Sequence, residues 1–203
     1  MENQKLDLIK TITDGVTIGL KNFPSLVVAA ILYVFTLWIP YINVGTTIAM
    51  QTIPGRLAKG DIISPLFIFE SKYRDDFSAF FLLCAFMSMS ILIGCVFMWI
   101  PGIVISISLS LATIILVDDQ VSPTDAMKLS NKATKGNKMI MFLTNLVFGI
   151  AFMIGYLIIG AIASIFDSGA FAAILILAYT ALAVPFSLGI MSVYYRELYL
   201  KRK

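Results

Sequence analysis

Histidine is absent from this 203-residue chain, and cysteine occurs only twice. Without histidine, a serine nucleophile lacks its usual base and a Cys–His zinc site cannot form. Cys84 and Cys95 lie in one apolar run about three helical turns apart, so they cannot bridge within a straight helix. They read as small buried hydrophobes. Charge is scarce as well, at 13% of residues against about 25% in an average soluble domain. No Lys, Arg, Asp or Glu interrupts the long apolar runs 77–100, 139–166 and 170–195. An ionisable side chain inside a span is the usual mark of a proton or ion path. Its absence argues against a proton-coupled transporter or an ion pump. Gly-x-Ser-x-Gly, a phosphate-binding loop and His-Glu-x-x-His are missing too. The expectation is a protein that is not an enzyme, with no catalytic residue, no metal site and no cofactor. Nor does Met1 to Lys21 read as a signal peptide, since charge and apolar residues alternate and no cleavage pattern follows.

What the chain has is apolar surface. Hydrophobic residues make up 59% of it, more than a soluble fold of this size can hide from water. In a bilayer that surface faces lipid instead. The three long runs each exceed the roughly 20 residues that a spanning helix needs. Two runs, 24–39 and 102–117, are shorter, roughly 24 Å as helix. A sixth segment, 41–57, is the least apolar and contains Asn43, Thr46, Thr47, Gln51 and Thr52. It reads as a span with one face toward the bundle interior.

Punctuation and charge set the topology. Trp38-Ile39-Pro40 and Trp99-Ile100-Pro101-Gly102 read as tight turns at a membrane surface, because proline ends one helix and opens the next while tryptophan prefers the interface. A third turn falls at Asp167-Ser168-Gly169. All 15 Lys and Arg residues lie before Phe23, between Arg56 and Arg74, between Lys128 and Lys138, or after Tyr195. Six spans put these four regions on one side and the three turns on the other, and the positive-inside rule makes the basic side cytoplasmic. A variant keeps this sidedness but makes the short first pair, or the second span, re-entrant. The expected fold is therefore an all-α integral membrane bundle of about six transmembrane helices in three hairpins, with amphipathic cytoplasmic helices. It forms a single membrane domain: an interfacial helix over 1–22, a first hairpin over 24–57, a cytoplasmic connection over 58–76, a second hairpin over 77–117, a cytoplasmic amphipathic helix over 118–138, and a third hairpin with a basic tail over 139–203.

Two of the hairpins look like repeats. Each Trp-Ile-Pro turn leads through a span to an Asp-x-x-Ser-Pro segment, Asp61 to Pro65 and then Asp119 to Pro123. Serine caps a helix and proline fits its first turn. The helix after Ser122 runs to about Lys135 and stops at Gly136. It carries Lys128, Lys132 and Lys135 on one face, with Lys138 just beyond, and these are candidates for contact with anionic headgroups or a partner. In the N-terminal segment Leu6, Ile9, Ile12, Val16 and Leu20 form an apolar stripe suited to a helix lying on the membrane surface. Gly15 and Gly19 have the spacing that lets another helix come close. Tyr194, Tyr195 and Tyr199 read as an aromatic belt before the basic end. Asp75-Asp76 and Asp118-Asp119 read as exposed boundary charge. Gly102, Ser106 and Ser110 read as a helix-packing face, and Asn43, Gln51, Ser106 and Asn145 are candidates to line a polar cavity.

The segment from Leu116 to Ser130 and the following Thr134-Lys135-Gly136-Asn137-Lys138, with Pro101-Gly102 and the closing Tyr195-Arg196-Glu197-Leu198-Tyr199, resembles a pattern in prokaryotic membrane families. These include the membrane domain attached to some glycerophosphoryl diester phosphodiesterases and the YciC-type inner-membrane proteins. The resemblance implies a six-helix integral membrane protein of a bacterial or archaeal cytoplasmic membrane, and transfers no catalytic residue. The expected role is in envelope or lipid homeostasis, or as the membrane partner of another protein. The alternative is a small transporter or channel subunit. Expected partners are anionic membrane lipids and a second copy or another membrane protein, and no nucleic acid.

Overall fold

In the computed structural model, which describes residues 5–165 and 169–203, every long element is a helix and there is no strand among those residues. The helices are α1 (Leu8–Lys21), α2 (Phe23–Thr36), α3 (Pro40–Ala58), the four-residue α4 (Lys72–Asp75), α5 (Phe77–Phe97), α6 (Trp99–Leu109), α7 (Ala112–Asp119), α8 (Pro123–Thr134), α9 (Lys138–Ile165) and α10 (Gly169–Leu198). Short 3-10 turns occupy Pro65–Phe69 and Leu200–Arg202. Of the expected third turn, Asp167 and Ser168 lie outside the described residues.

Four segments are long and apolar enough to cross a membrane: Phe77–Phe97, Trp99–Asp119, Lys138–Ser164 and Gly169–Arg202. A fifth arises only if α1 and α2, bent by 76° at Asn22, count as one broken span. The fold is thus an all-α one with four to five long apolar helices. The run at 41–57 is not among the segments apolar enough to cross, because its hydroxyl and amide side chains dilute its apolar character. α3 is deeply set in the core, with Ile48, Ala49 and Ile53 at 1% exposure or less. Thr36 and Tyr33 of α2 share hydrogen bonds with Thr46 and Thr47 of α3 at 2.8 and 3.2 Å. At its N-terminal end α3 meets Arg74, whose guanidinium stands 5.4 Å from the Tyr41 ring centroid and whose side chain packs on Gly45.

α1 lies antiparallel along the C-terminal half of α10. Asp14 pairs with Arg196 at 2.8 Å, Gly15 faces Ile190 and Gly19 faces Pro185. A Cβ on Gly189 would stand 2.1 Å from the Gly15 carbonyl oxygen, so the two backbones touch. The face that α1 buries is therefore Thr11, Gly15 and Gly19. The apolar stripe is only partly covered: Leu6 is buried and Ile12 and Val16 are half-buried, but Ile9 and Leu20 are 73% and 56% exposed. Backbone contact outweighs the stripe because glycine permits a close approach that lipid-compatible side chains do not require.

α5 and α6 form a tight hairpin about extended Met98, closed by Gly94 against Gly102 and by Gly102 against Cys95. α6 and α7 together make one 21-residue candidate span, interrupted at Ser110-Leu111. α8 folds back against this interruption. The Ser130 hydroxyl accepts from the Leu111 N–H at 3.2 Å and donates to the Ser108 carbonyl at 2.7 Å. The small-residue face expected at Gly102, Ser106 and Ser110 is thus used at Gly102, while Ser106 and Ser110 turn their hydroxyls back to Ile103 and Ile107 of their own helix. Of the two Ser-Pro segments, only Ser122-Pro123 opens a full helix, and Ser122 caps it by accepting from Asp125 N at 3.2 Å. Ser64-Pro65 opens a single 3-10 turn, because Leu66-Phe67-Ile68-Phe69 has no polar face and buries Phe67 and Ile68 in the core.

The core gathers at one end. α1, α3, α7, α8 and the C-terminal turns of α10 enclose Ile53, Ile68, Ile114, Ile115 and Leu198. The rest of α5–α6 and α9–α10 projects from this base as two apolar arms, with Val96, Phe97, Leu157 and Ile174 all more than 60% exposed.

Gly189→Ala is expected to destabilise the protein by about 1–3 kcal/mol, since the clash is with backbone and no rotamer relieves it. Gly149→Ala, where an added Cβ meets nothing within 4 Å, should stay within about 0.5 kcal/mol of the parent. Paired thermal melts in one detergent decide this. Equal midpoints would show that α1 is not seated on α10 through its glycines.

Candidate functional site

The polar chemistry of the chain sits at the base. α7 ends in Asp118 and Asp119, and Gln120 closes it in the left-handed conformation at φ 53°. Opposite, α10 presents Tyr195 and Tyr199, one helical turn apart and stacked at 5.3 Å. Tyr195 donates its hydroxyl proton to Asp118 at 2.6 Å, and Tyr199 donates to Asp119. Lys59, the residue that caps α3, pairs with Asp118. Lys203 pairs with Asp119 at 2.7 Å, and this hydrogen bond raises the lysine above its ordinary pKa. The two carboxylates are only 23% and 11% exposed. They are not boundary charge in solvent. They tie α3, α7 and the chain's C-terminal turns together. The tyrosines likewise face inward rather than forming a lipid-facing belt: Tyr194 is 2% exposed and donates to Asn145 Oδ1 at 3.1 Å.

Beside this knot lies a cavity of about 350 Å³ between α3, α4 and the end of α7. Thr52, Gly55 and Ile114 form part of its apolar and small-residue lining. Gly55 is required there, since a Cβ would meet Ile114 at 2.7 Å. Arg56 and Lys72 supply positive charge to the cavity, and Asp75, Asp76 and Asp118 supply negative charge. Arg56 lies 3.5 Å from Glu70 and stands over the Phe67 ring, while Lys72 reaches the same carboxylate at 2.7 Å. Gln120 donates to Asp76 at 3.2 Å and to the Val117 carbonyl at 2.9 Å. Among the described residues, no group of three or more His, Cys, Asp or Glu side chains is placed to hold a metal ion.

The lysine face of α8 is exposed. Lys128 pairs with Asp125 at 3.1 Å, and Lys138 donates to Asn131 at 3.0 Å. Lys132 and Lys135 extend from the same surface. The four residues proposed for a polar cavity are not brought together. Asn43 accepts from Thr47 at 2.9 Å, Ser106 donates to Ile103, Gln51 is exposed and Asn145 is held by Tyr194. None of them lines the cavity above. The residues that do line it were legible only as scattered charges, though the turn-spaced Tyr195 and Tyr199 and the double aspartate were signals in plain view. Compared with protein-family models, with curated proteins and with solved structures, the chain matches none.

Asp125 titrates below the ordinary carboxylate range, because the Ser122 hydroxyl donates to it and Lys128 lies beside it. Ionisation thus favours the folded first turn of α8. That stabilisation is complete above the free carboxylate value of about 3.9 and is lost as pH falls through the lowered one. Amide exchange at 125–127 should therefore quicken only in strong acid, and Ser122→Ala should move the onset to higher pH. An onset at the same pH in both proteins would refute the cap.

Proposed function

We propose that the chain is a non-enzymatic multi-pass protein of a prokaryotic cytoplasmic membrane, working at the inner surface in envelope or lipid homeostasis, in line with the family pattern its α7–α8 segment resembles. The observation that carries this reading is the segregation of polarity. The arms expose apolar side chains, and the charges gather at the base, where Lys128 and Lys132 of α8 and Lys135 just past it are exposed and Lys138, at the start of α9, is half-buried beside them. Four lysines beside an anionic leaflet would each contribute about 1 kcal/mol of attraction. The polar groups within the arms are bonded locally, as in Tyr156 with Thr180 at 2.7 Å and Tyr179 with the Phe152 carbonyl at 3.1 Å. That arrangement favours a surface role over the alternative of a solute path.

The topology that fits best has four full crossings, α5, α6–α7, α9 and α10, with both termini cytoplasmic. The α2–α3 hairpin then lies against the cytoplasmic surface and dips its Trp38 tip into lipid. Supporting this, six crossings would separate Tyr41 from Arg74 by a bilayer, whereas the two are in contact. The 76° bend at Asn22 also turns α2 away from α1, which runs along α10. All basic regions remain on one side.

Two measurements test this. In a background lacking Cys84 and Cys95, a cysteine at position 43 should react with a membrane-impermeant maleimide from the cytoplasmic side only. Labelling from the outside would restore six crossings. Separately, native mass spectrometry of the protein released in mild detergent should show retained phosphatidylglycerol or cardiolipin. Reversing Lys128, Lys132 and Lys135 to Glu should lower that retention about tenfold or more, as expected for losing several headgroup attractions of about 1 kcal/mol each. Unchanged retention would remove the lysine face from the function.

A further inference from the structure

We propose that the cavity between α3, α4 and the end of α7 binds a phosphorylated primary amine, the chemistry of a phosphoethanolamine headgroup. The argument starts from charge. Arg56 and Lys72 share one carboxylate, Glu70, and Glu70 does not line the cavity. The pair keeps an excess of positive charge. Asp75, Asp76 and Asp118 line the cavity against one lysine, Lys59, which does not line it either. Gln120 and Tyr195 donate to Asp76 and Asp118 but bring no charge. These carboxylates keep an excess of negative charge.

The cavity is lined by side chains of both signs, Lys72 and Asp75 from α4 among them, and that pattern selects a ligand with two ends. A plain anion would meet the carboxylates, and a plain cation would meet Arg56 and Lys72. A zwitterion satisfies both. The Arg fork and the Lys ammonium suit a phosphate, and a primary ammonium offers three N–H donors to the carboxylates. The volume of about 350 Å³ lies at the small end of the range for small-molecule sites, which suits a headgroup rather than a large ligand.

The position adds a lipid source. The chain leaves the cavity wall at Asp76 and enters α5 directly, where Phe77 and Phe81 pack together at 5.9 Å and are 45% and 65% exposed. α5 is one of the four candidate spans. An acyl chain could run along this aromatic edge while its headgroup sits in the cavity. That source rests on the proposed placement of the base at a membrane surface. The headgroup chemistry does not, and none of the α8 lysines lines the cavity.

The test uses the full chain in mild detergent, exchanged with equal amounts of phosphatidylethanolamine, phosphatidylcholine and phosphatidylglycerol, with retained lipid read by native mass spectrometry. Phosphatidylethanolamine should be retained about tenfold over phosphatidylcholine, whose quaternary ammonium has no N–H to donate, while phosphatidylglycerol, which has no cation, should be held by the α8 lysines and stay unaffected by changes in the cavity. Lys72→Gln, at an exposed position, and Asp76→Asn, at a half-buried one, should each abolish the preference, whereas Lys21→Gln, exposed and outside both the cavity and the α8 lysine face, should leave it intact. Soluble phosphoethanolamine is the second arm. If it binds and the lipid shows no preference, the ligand is a free phosphorylated amine. If it only displaces the lipid, the source is the membrane. Either result supports the site. Equal retention of phosphatidylethanolamine and phosphatidylcholine with no binding of the soluble compound would overturn it, as would an undiminished preference in both variants. Because the soluble arm needs no bilayer, its success with a failed position-43 labelling result would separate the site from the topology.

Discussion

The contact of Gly15 and Gly19 with Gly189 and Pro185 decides where the first third of the chain can go. Two helix backbones that touch leave no room for side chains between them, so α1 is held along α10 in one register. The Asp14–Arg196 pair reinforces that register at one end. At the other, the bend at Asn22 is fixed as its buried side chain accepts from the Ile63 N–H at 3.4 Å. The bend aims α2 across the bundle, and the threonine contacts bring α3 back beside it. Only then does Gly55 meet Ile114, and the cavity between α3 and α7 exists because those helices meet there. A clash at Gly189 would thus be felt at a site it does not touch.

The two halves of the molecule handle polar groups differently, and solvent explains the difference. In hydrocarbon an unsatisfied hydroxyl has no water to turn to. Within the arms, Ser90 donates to Phe86, Thr180 to Ile176 and Ser164 to Ala161, each within one helix, and the bonds of Tyr156 and Tyr179 join only the adjoining α9 and α10. At the base the bonds run between distant segments instead. Leu6 N–H reaches Asn137 at 2.8 Å, Ser130 bridges the break between α6 and α7, and Tyr195 reaches Asp118. Local bonds keep a helix compatible with lipid. Non-local bonds build a specific shape.

Legibility in the sequence follows the same division. The arms were readable because a run such as Phe77–Phe97 needs only length and hydropathy to be recognised. The start and stop of α8 were readable because a cap and a glycine act within a few residues; Gly136 indeed takes φ 87°. What depended on distant pairing was hidden. Asp118 and Asp119 looked like solvated charge because their tyrosine partners lie about 80 residues away, at separations of 77 and 80. The stripe of α1 was legible as a membrane-surface face because periodicity reports polarity, and the Gly15–Gly19 spacing showed that a helix could come close, but not that it would be α10. Whether α3 crosses was not legible because one-sided charge constrains only which ends share a side. A hairpin that never crosses satisfies that rule as well as one that does.

Helix length bears on where the base sits. α10 has 30 residues and α9 has 28, or roughly 45 and 42 Å, against a hydrocarbon thickness of about 30 Å. If both begin at the far surface, each overshoots by roughly 12–15 Å, about eight to ten residues. For α10 that excess takes in Gly189, Ile190, Ser192, Val193, Tyr194, Tyr195 and Leu198, which are all buried in the base. For α9 it takes in Met141 and Thr144, both fully enclosed, and Asn145, which holds Tyr194. The parts of the two helices too long for the bilayer are the parts that build the core. Their lipid-facing lengths match the 21 residues of α5. Under the proposed four-crossing arrangement, α5, α9 and α10 therefore reach the inner surface at one level, and α7 continues α6 into the base. The cavity, the aspartate–tyrosine knot and the lysines of α8 then share the headgroup zone, where charged side chains cost least and phospholipid chemistry is closest.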